Sequence, residues 1–446
     1  MILKLYLFVC SVFAGLFVFG QQRPFVTEWV ADSVNEIEIR TRGTASFIYT
    51  HKYNHSVQGT GSINQEKQVI TVPEPGPYIF EFSDTENFTL YAGGFEDIYG
   101  DNQALSAVRQ WGDVDWNTDM SFAFRQSQAE FTAEDVPDFS QVSNFYGMFY
   151  ESAVTDIPHI NQWNTSAAQT MSGMFMNAAS FNGDLSAWNT SSVTDMNSMF
   201  LGAQNFNSDI SGWNTGAVTD MGGMFAFTGA FNQNLSAWNT INVTDISGMF
   251  FQAVAFNGDV SGWNTSNVQR MTTVFRAATS FDQDVSSWDV SNVTAMTNMF
   301  SQSGYSCVNF AKALQAWSQQ DVKSGVALGA IGVKYGSVAA PYRSSLVQNK
   351  GWVITGDVFT EGCDAVLSTS PENADNDDIT VISPVLDEFR IISKNPVKYV
   401  TVYDNLGRTV ISFNGPRGNA AALQRGVYLL QINTSKGHKS HRVLKK

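Results

Sequence analysis

The residues that could do chemistry in this chain recur rather than cluster. Asn164, Asn189, Asn214, Asn239, Asn264 and Asp289 follow one another every 25 residues, and Asp184, Asp209, Asn234, Asp259 and Asp284 do the same. A column of amides suits two roles. It can bond to itself and to the backbone, as side-chain ladders do in stacked sheets, or it can face a polymer with donors and acceptors in register. Ala187, Gly212, Ala237 and Gly262 beside it are small and leave room for a ligand. The acidic column needs compensation, because like charges stacked about 4.8 Å apart repel by roughly 1 kcal/mol even in water. Asx side chains accepting turn N–H groups supply it. Calcium, which takes carboxylate oxygens, is the alternative. The turn is favoured, because Asn234 replaces Asp with no other change in its copy.

Nothing else converges on a reaction. His51, His55, His159, His438 and His441 meet no cysteine or carboxylate motif, and the chain has no nucleophile elbow, P-loop or metalloprotease helix motif. His51 and His55 in "HKYNH" have the spacing of a helical metal pair, but the surrounding pattern is strand and turn. A polysaccharide-cleaving site would need a carboxylate pair that breaks the period. The acids keep to it, so no catalytic residue and no metal site are expected.

The element that positions these columns is a repeat. Trp163, Trp188, Trp213, Trp238, Trp263 and Trp288 are 25 residues apart, and Phe175, Phe200, Phe225, Phe250, Phe275 and Phe300 follow them by twelve. Phe149 and Phe124 extend the series, with one extra residue before Phe175. Within a copy, the spacing around Trp188 predicts a short strand at Trp188 to Thr190 with Asn189 pointing outward. "SVTDMNSMF" spaces its apolar residues by three and four and predicts a helix, with Thr194 as N-cap and Asp195 at its positive end. The tryptophans fall at inward positions. Exposed, they would be platforms for sugar rings; inward, they are core. The expectation is an α/β solenoid of leucine-rich-repeat type, about eight 25-residue coils, flanked by small all-β modules. One coil alone has nothing to bury its apolar face against, so stability must belong to the array.

The ends define the setting. Lys4, the apolar run Leu5 to Phe19 and "VFG" at Val18 to Gly20 read as a signal peptide over residues 1–20. Alternating strands over 21–105 predict a β-sandwich-like cap; the repeats span 106–304 and a C-terminal cap 305–363. Residues 364–379 are acidic and poor in apolar groups, as linkers are, and a second strand-rich module fills 380–446. Cys307 and Cys363 remain after signal removal, an even number in an exported chain, which favours one disulfide. A net charge of −15 argues against nucleic acid. No later segment reads as a membrane span.

The unit "F-N-x-D-[LIV]-S-x-W-N-T-S-x-V-T-D-M-x-x-M-F", as at Phe181 to Phe200, resembles the BspA-like leucine-rich-repeat surface proteins, whose 25-residue unit is shared with mycoplasma surface lipoproteins. The likeness runs over residues 24–363, with "QWG" leading in and "GWVITGD" leading out. It implies a non-catalytic surface or secreted binding protein, often an adhesin for protein or glycan. A structural surface or matrix component without a specific ligand is the alternative. "VTVYDNLGRTV" at Val400 to Val410, "LQRGVYLLQI" at Leu423 to Ile432 and the basic end Lys445, Lys446 are similar to the type A C-terminal sorting domain of the Bacteroidetes type IX secretion system. That resemblance implies the type IX machinery as a partner and the outer cell surface or medium as destination.

Overall fold

The computed structural model describes residues 22–31, 35–54, 56–91, 105–364, 379–381, 388–393, 395–404, 409–434 and 437–445. The expected signal peptide and all of the expected linker except Asp364 and Ile379 lie outside them.

The N-terminal alternation forms β1 (Phe25–Ala31), β2 (Glu36–His51), β3 (Val57–Ile63), β4 (Lys67–Thr71), β5 (Gly76–Tyr91) and β6 (Leu105–Gln110). With β7 (Glu130–Phe131) they make one sheet of order β3-β2-β5-β1-β6-β7, β4 also pairing with β2. Phe47 and Tyr49 of β2 and Phe80 and Phe82 of β5 turn inward at alternate positions and pack ring on ring. β7 joins the sheet parallel to β6, opposite Ala107 and Val108. Trp111 bridges the sheet and the repeats, 6.0 Å from Phe25 and 5.6 Å from Trp163.

The repeats wind into coils joined by single parallel bridges. Asp119 pairs with Asn144, Asn144 with Thr170, and the ladder continues through Asp195, Asp220, Asp245, Arg270 and Ala295; Met296 then pairs with Leu328. The expected α/β leucine-rich-repeat solenoid is not what forms. Among the described residues there are two α-helices, α1 (Cys307–Ser318) and α2 (Ala340–Gln348), and both lie beyond the repeats. The protein is mainly strands, sheets and turns. Trp188 to Thr190 is not a strand, and Ser192 to Phe200 is not a helix.

The reason lies in where the N–H groups go. Those of Met196, Ser198, Phe200 and Gly202 donate to Asp220, Gly222, Met224 and Ala226 of the next coil, while those of Met199, Leu201 and Ala203 close turns onto the residue three before. Ser198 and Gly202 both have positive φ, and the same two positions are left-handed in every coil. A left-handed residue every fourth position interrupts a helix, which needs uniform right-handed φ and ψ. The three-and-four spacing is real, but it belongs to consecutive tight turns that aim Met196, Met199 and Phe200 inward.

That inward face is a set of aromatic columns. Trp188, Trp213, Trp238, Trp263 and Trp288 stack 5.9 to 6.5 Å apart, nearly parallel. Each indole N–H donates to a carbonyl of the preceding coil, from Trp188 onto Ile160 to Trp288 onto Val260. Phe175 to Phe300 form a second column, and within a coil Phe200 lies 3.8 Å from Phe206. Trp163 starts the ladder, and its buried Nε1 has no partner.

Beyond the coils, α1 is capped by Ser306, whose Oγ accepts from Asn309 N–H. β8 (Ala327–Gly329), β9 (Lys334–Tyr335), α2, β10 (Val353–Thr355) and β11 (Val358–Phe359) complete this end, β10 pairing parallel with β8 and β11 with β9. Cys307 and Cys363 form a disulfide. The fully buried Asp364 carboxylate accepts from the N–H groups of Gly336, Val338 and Ala339, capping α2 from a distant part of the chain. One core runs from Phe25 to Ile354. The last strands, β12 (Thr380–Val381), β13 (Glu388–Ile392), β14 (Val397–Tyr403), β15 (Thr409–Asn414), β16 (Arg417–Asn419), β17 (Gly426–Thr434) and β18 (Gly437–Lys445), bury a separate one around Phe389, Val400, Leu430 and Ile432.

Trp213→Ala opens a cavity between two indoles and leaves the Leu185 carbonyl with the Trp188 N–H alone, so denaturant unfolding should show a loss of about 3–5 kcal/mol. Replacing Cys307 and Cys363 by serine removes a long loop closure and should cost about 2–4 kcal/mol in the same measurement.

Candidate functional site

Each coil presents two successive turns on one side, built by Asx residues. Asn164, Asn189, Asn214, Asn239 and Asn264 are exposed and Asp289 half-exposed. Their Oδ1 atoms accept the N–H two residues on, at Ser166, Ser191, Gly216, Ile241, Ser266 and Ser291, over 2.9 to 3.2 Å. The column does not bond to itself. Its acceptors are spent on local turns, and its main-chain carbonyls from Asn189 to Asp289 receive threonine hydroxyls from the preceding coil. Ala187, Gly212, Ala237 and Gly262 beside it are exposed, so the face is shallow and open.

The acidic column lies one turn earlier and is built alike. Asp184, Asp209, Asn234, Asp259 and Asp284 accept from the N–H groups of Ser186, Ser211, Ser236, Ser261 and Ser286. The backbone N–H of Ser186 holds the Asp184 carboxyl below the usual carboxylate range, and Ser211 does the same for Asp209. At Asp284 burial opposes the shift, but Ser286 and Lys312, 3.0 Å away, prevail and lower it. Among the described residues no three His, Cys, Asp or Glu side chains gather as a metal site. His51 is buried, 3.8 Å from Glu74, and His55 lies outside the described residues. The tryptophans from Trp163 to Trp288 are at most 4% exposed, so they offer no sugar platform.

Sequence reasoning missed the side-chain ladder that does run from coil to coil. Asn182 Oδ1 accepts from Asn207 N–H, Asn207 from Asn232, Asn232 from Asn257, Asn257 from Asp282, and Asp282 from Ser306. Its signal was visible, since this Asn follows the first phenylalanine of each copy. A third column, on the bridge ladder itself, carries the strongest electrostatics. Asp195, Asp220 and Asp245 follow in successive coils, and Arg270 closes the series at 2.6 Å from Asp245. Burial raises the Asp195 carboxyl above its ordinary range and the Asp220 charge adds to this, against the Asn197 N–H that favours the anion.

Residues 118–238 and 227–327 match a family described as a mycoplasma protein of unknown function, DUF285. Residues 383–446 match the secretion system C-terminal sorting domain. No curated protein matches the chain. The chain thus carries a type IX secretion sorting tail, which directs it to export and to the cell surface or the medium. No helix among the described residues is long and apolar enough to cross a membrane.

The raised Asp195 carboxyl has a definite pH signature. Between its ordinary value and the higher folded one the native state binds more protons, so stability falls as pH rises through that window. Asp195→Asn keeps an Oδ1 for the Asn197 N–H, as Asn144 does for Tyr146 in an earlier coil, and removes the repulsion. It should stabilise by up to about 1 kcal/mol at pH 7, with the gain vanishing below about pH 4. Asp209→Asn, where the carboxyl is lowered, should show no such gain in the same melting series.

Proposed function

We propose that the mature protein is a non-catalytic binding protein displayed outside the cell, holding a protein or glycan ligand along its coils as an adhesin does. The observation that carries this reading is the unbroken repetition of an open, polar, Asx-built face from Asn164 to Asp289. No copy breaks the period to bring two carboxylates together as a hydrolytic pair would require. The export signal fits a ligand met outside the cell. A structural surface or matrix component is the second reading, favoured because every Oδ1 of the column is already used inside its own turn.

The test is binding of the secreted protein to arrays of matrix proteins and of bacterial and plant glycans, with and without chelator. A saturable signal on one class is the expected result, weakened by paired changes such as Asn189→Ala with Asn214→Ala if this face is the contact. Silence from a folded sample would leave the structural role. Deleting residues 383–446 should retain the protein inside the cell, as fractionation would show.

A further inference from the structure

A second surface carries aromatic rings in the open. The column Arg125, Tyr150, Met176, Leu201, Ala226, Phe251, Arg276 and Ser301 is set in register by coil-to-coil hydrogen bonds, with arginine at its first and seventh places. At each arginine the same constellation recurs. Phe122 meets Tyr146 edge to face at 4.9 Å, and the Arg125 guanidinium lies over Phe122 at 5.5 Å and over Tyr150 at 5.3 Å. Phe227 meets Phe251 edge to face at 4.9 Å, and the Arg276 guanidinium lies over Phe251 at 5.4 Å. Tyr146 is 44% and Phe227 36% exposed.

These two phenylalanines are costly to hold. Both Phe122 and Phe227 have a φ of 59°, in the left-handed region that disfavours bulky side chains. The equivalent places in other coils carry Gly147, Gly173, Ser198, Gly223, Gly248, Thr273 and Asn298 for the first, and Gln126, Glu151, Asn177, Gly202, Gln252, Ala277 and Gln302 for the second. The fold accepts glycine there, so the turn does not require a ring. The left-handed turn is common to every coil, but an aromatic ring occupies it only at Phe122 and Phe227.

We infer that this stripe is a binding platform for a neutral linear polysaccharide lying along the array, with the two aromatic clusters as separated subsites. This rests on the reading of an extracellular binding protein proposed above but places the polymer on a different face from the Asx column. Arg125 and Arg276 are six coils apart, roughly 30 Å at about 4.8 Å per coil, a span that suits an extended polymer. Aromatic faces pack against the C–H faces of pyranose rings, and guanidinium N–H groups donate to hydroxyls. Gln126 and Gln252, both exposed beside the clusters, add planar amides for the same hydroxyls. A polyanion is disfavoured by the net charge of −15. A peptide strand cannot add to this face, since the N–H groups of the column close turns within their own coils and those of the residues after them are taken by the next coil.

The experiment is affinity electrophoresis of the secreted protein through gels holding soluble β-1,3-glucan, β-1,4-mannan or polygalacturonate, with wild type, Phe122→Gly, Phe227→Gly and the double variant. Glycine suits both backbone positions, so the variants should fold, with melting temperatures checked alongside. The expected result is retardation by a neutral polymer, weakened at least tenfold by either change and abolished by both. Retardation that the glycine variants leave intact overturns the platform while the binding reading survives. Retardation by polygalacturonate alone overturns the neutral assignment. No retardation in any of the three gels overturns the polysaccharide platform, while the broader binding reading is decided by the arrays of matrix proteins and glycans described above.

Discussion

The hydrogen bond from one coil to the residue 24 positions later is the interaction on which the rest depends. Met196 to Asp220 and Phe200 to Met224 are representative, at 3.0 and 2.9 Å. A backbone N–H spent on the next coil cannot also bond four residues back, so the coil must turn by tight, left-handed steps. Those steps leave Trp, Met and Phe side chains in columns that pack against their copies above and below and against one another. Stability is therefore shared along the array, and a coil cannot fold without its neighbours.

The same constraint explains how the ends are made. The first coils receive a seven-stranded sheet whose aromatic face continues into Trp111, Trp116 and Trp163, so sheet and array share a core. The last coil is closed by two helices, a disulfide and the buried Asp364 carboxylate, which satisfies three N–H groups that no further coil supplies. The sorting tail stands apart energetically, with its own core. That independence suits a segment whose task is recognition during export.

Function is left to the outside of the coils, where packing places few demands. The Asx face and the aromatic stripe use different logic. In the first, every copy is alike and the polar atoms serve their own turns before any ligand. In the second, the copies differ, and strained phenylalanines stand at positions where glycine suffices. Departures from a repeat are informative because nothing in the stacking calls for them.

Much of this was legible in the residues. The tryptophan and phenylalanine periods determined which side chains face inward, the parity of the cysteines pointed to the bridge between Cys307 and Cys363, and Asn234 among aspartates pointed to local turns. The sequence by itself could not distinguish a helix from consecutive turns over Ser192 to Phe200, because both space inward residues by three and four. Only the tertiary structure decided it, since the hydrogen-bond partners lie in the next coil and a single copy does not contain them. The stripe between Arg125 and Arg276 was hidden for the same reason: its members meet across coils, and the coil-to-coil register, not the local pattern, brings them together.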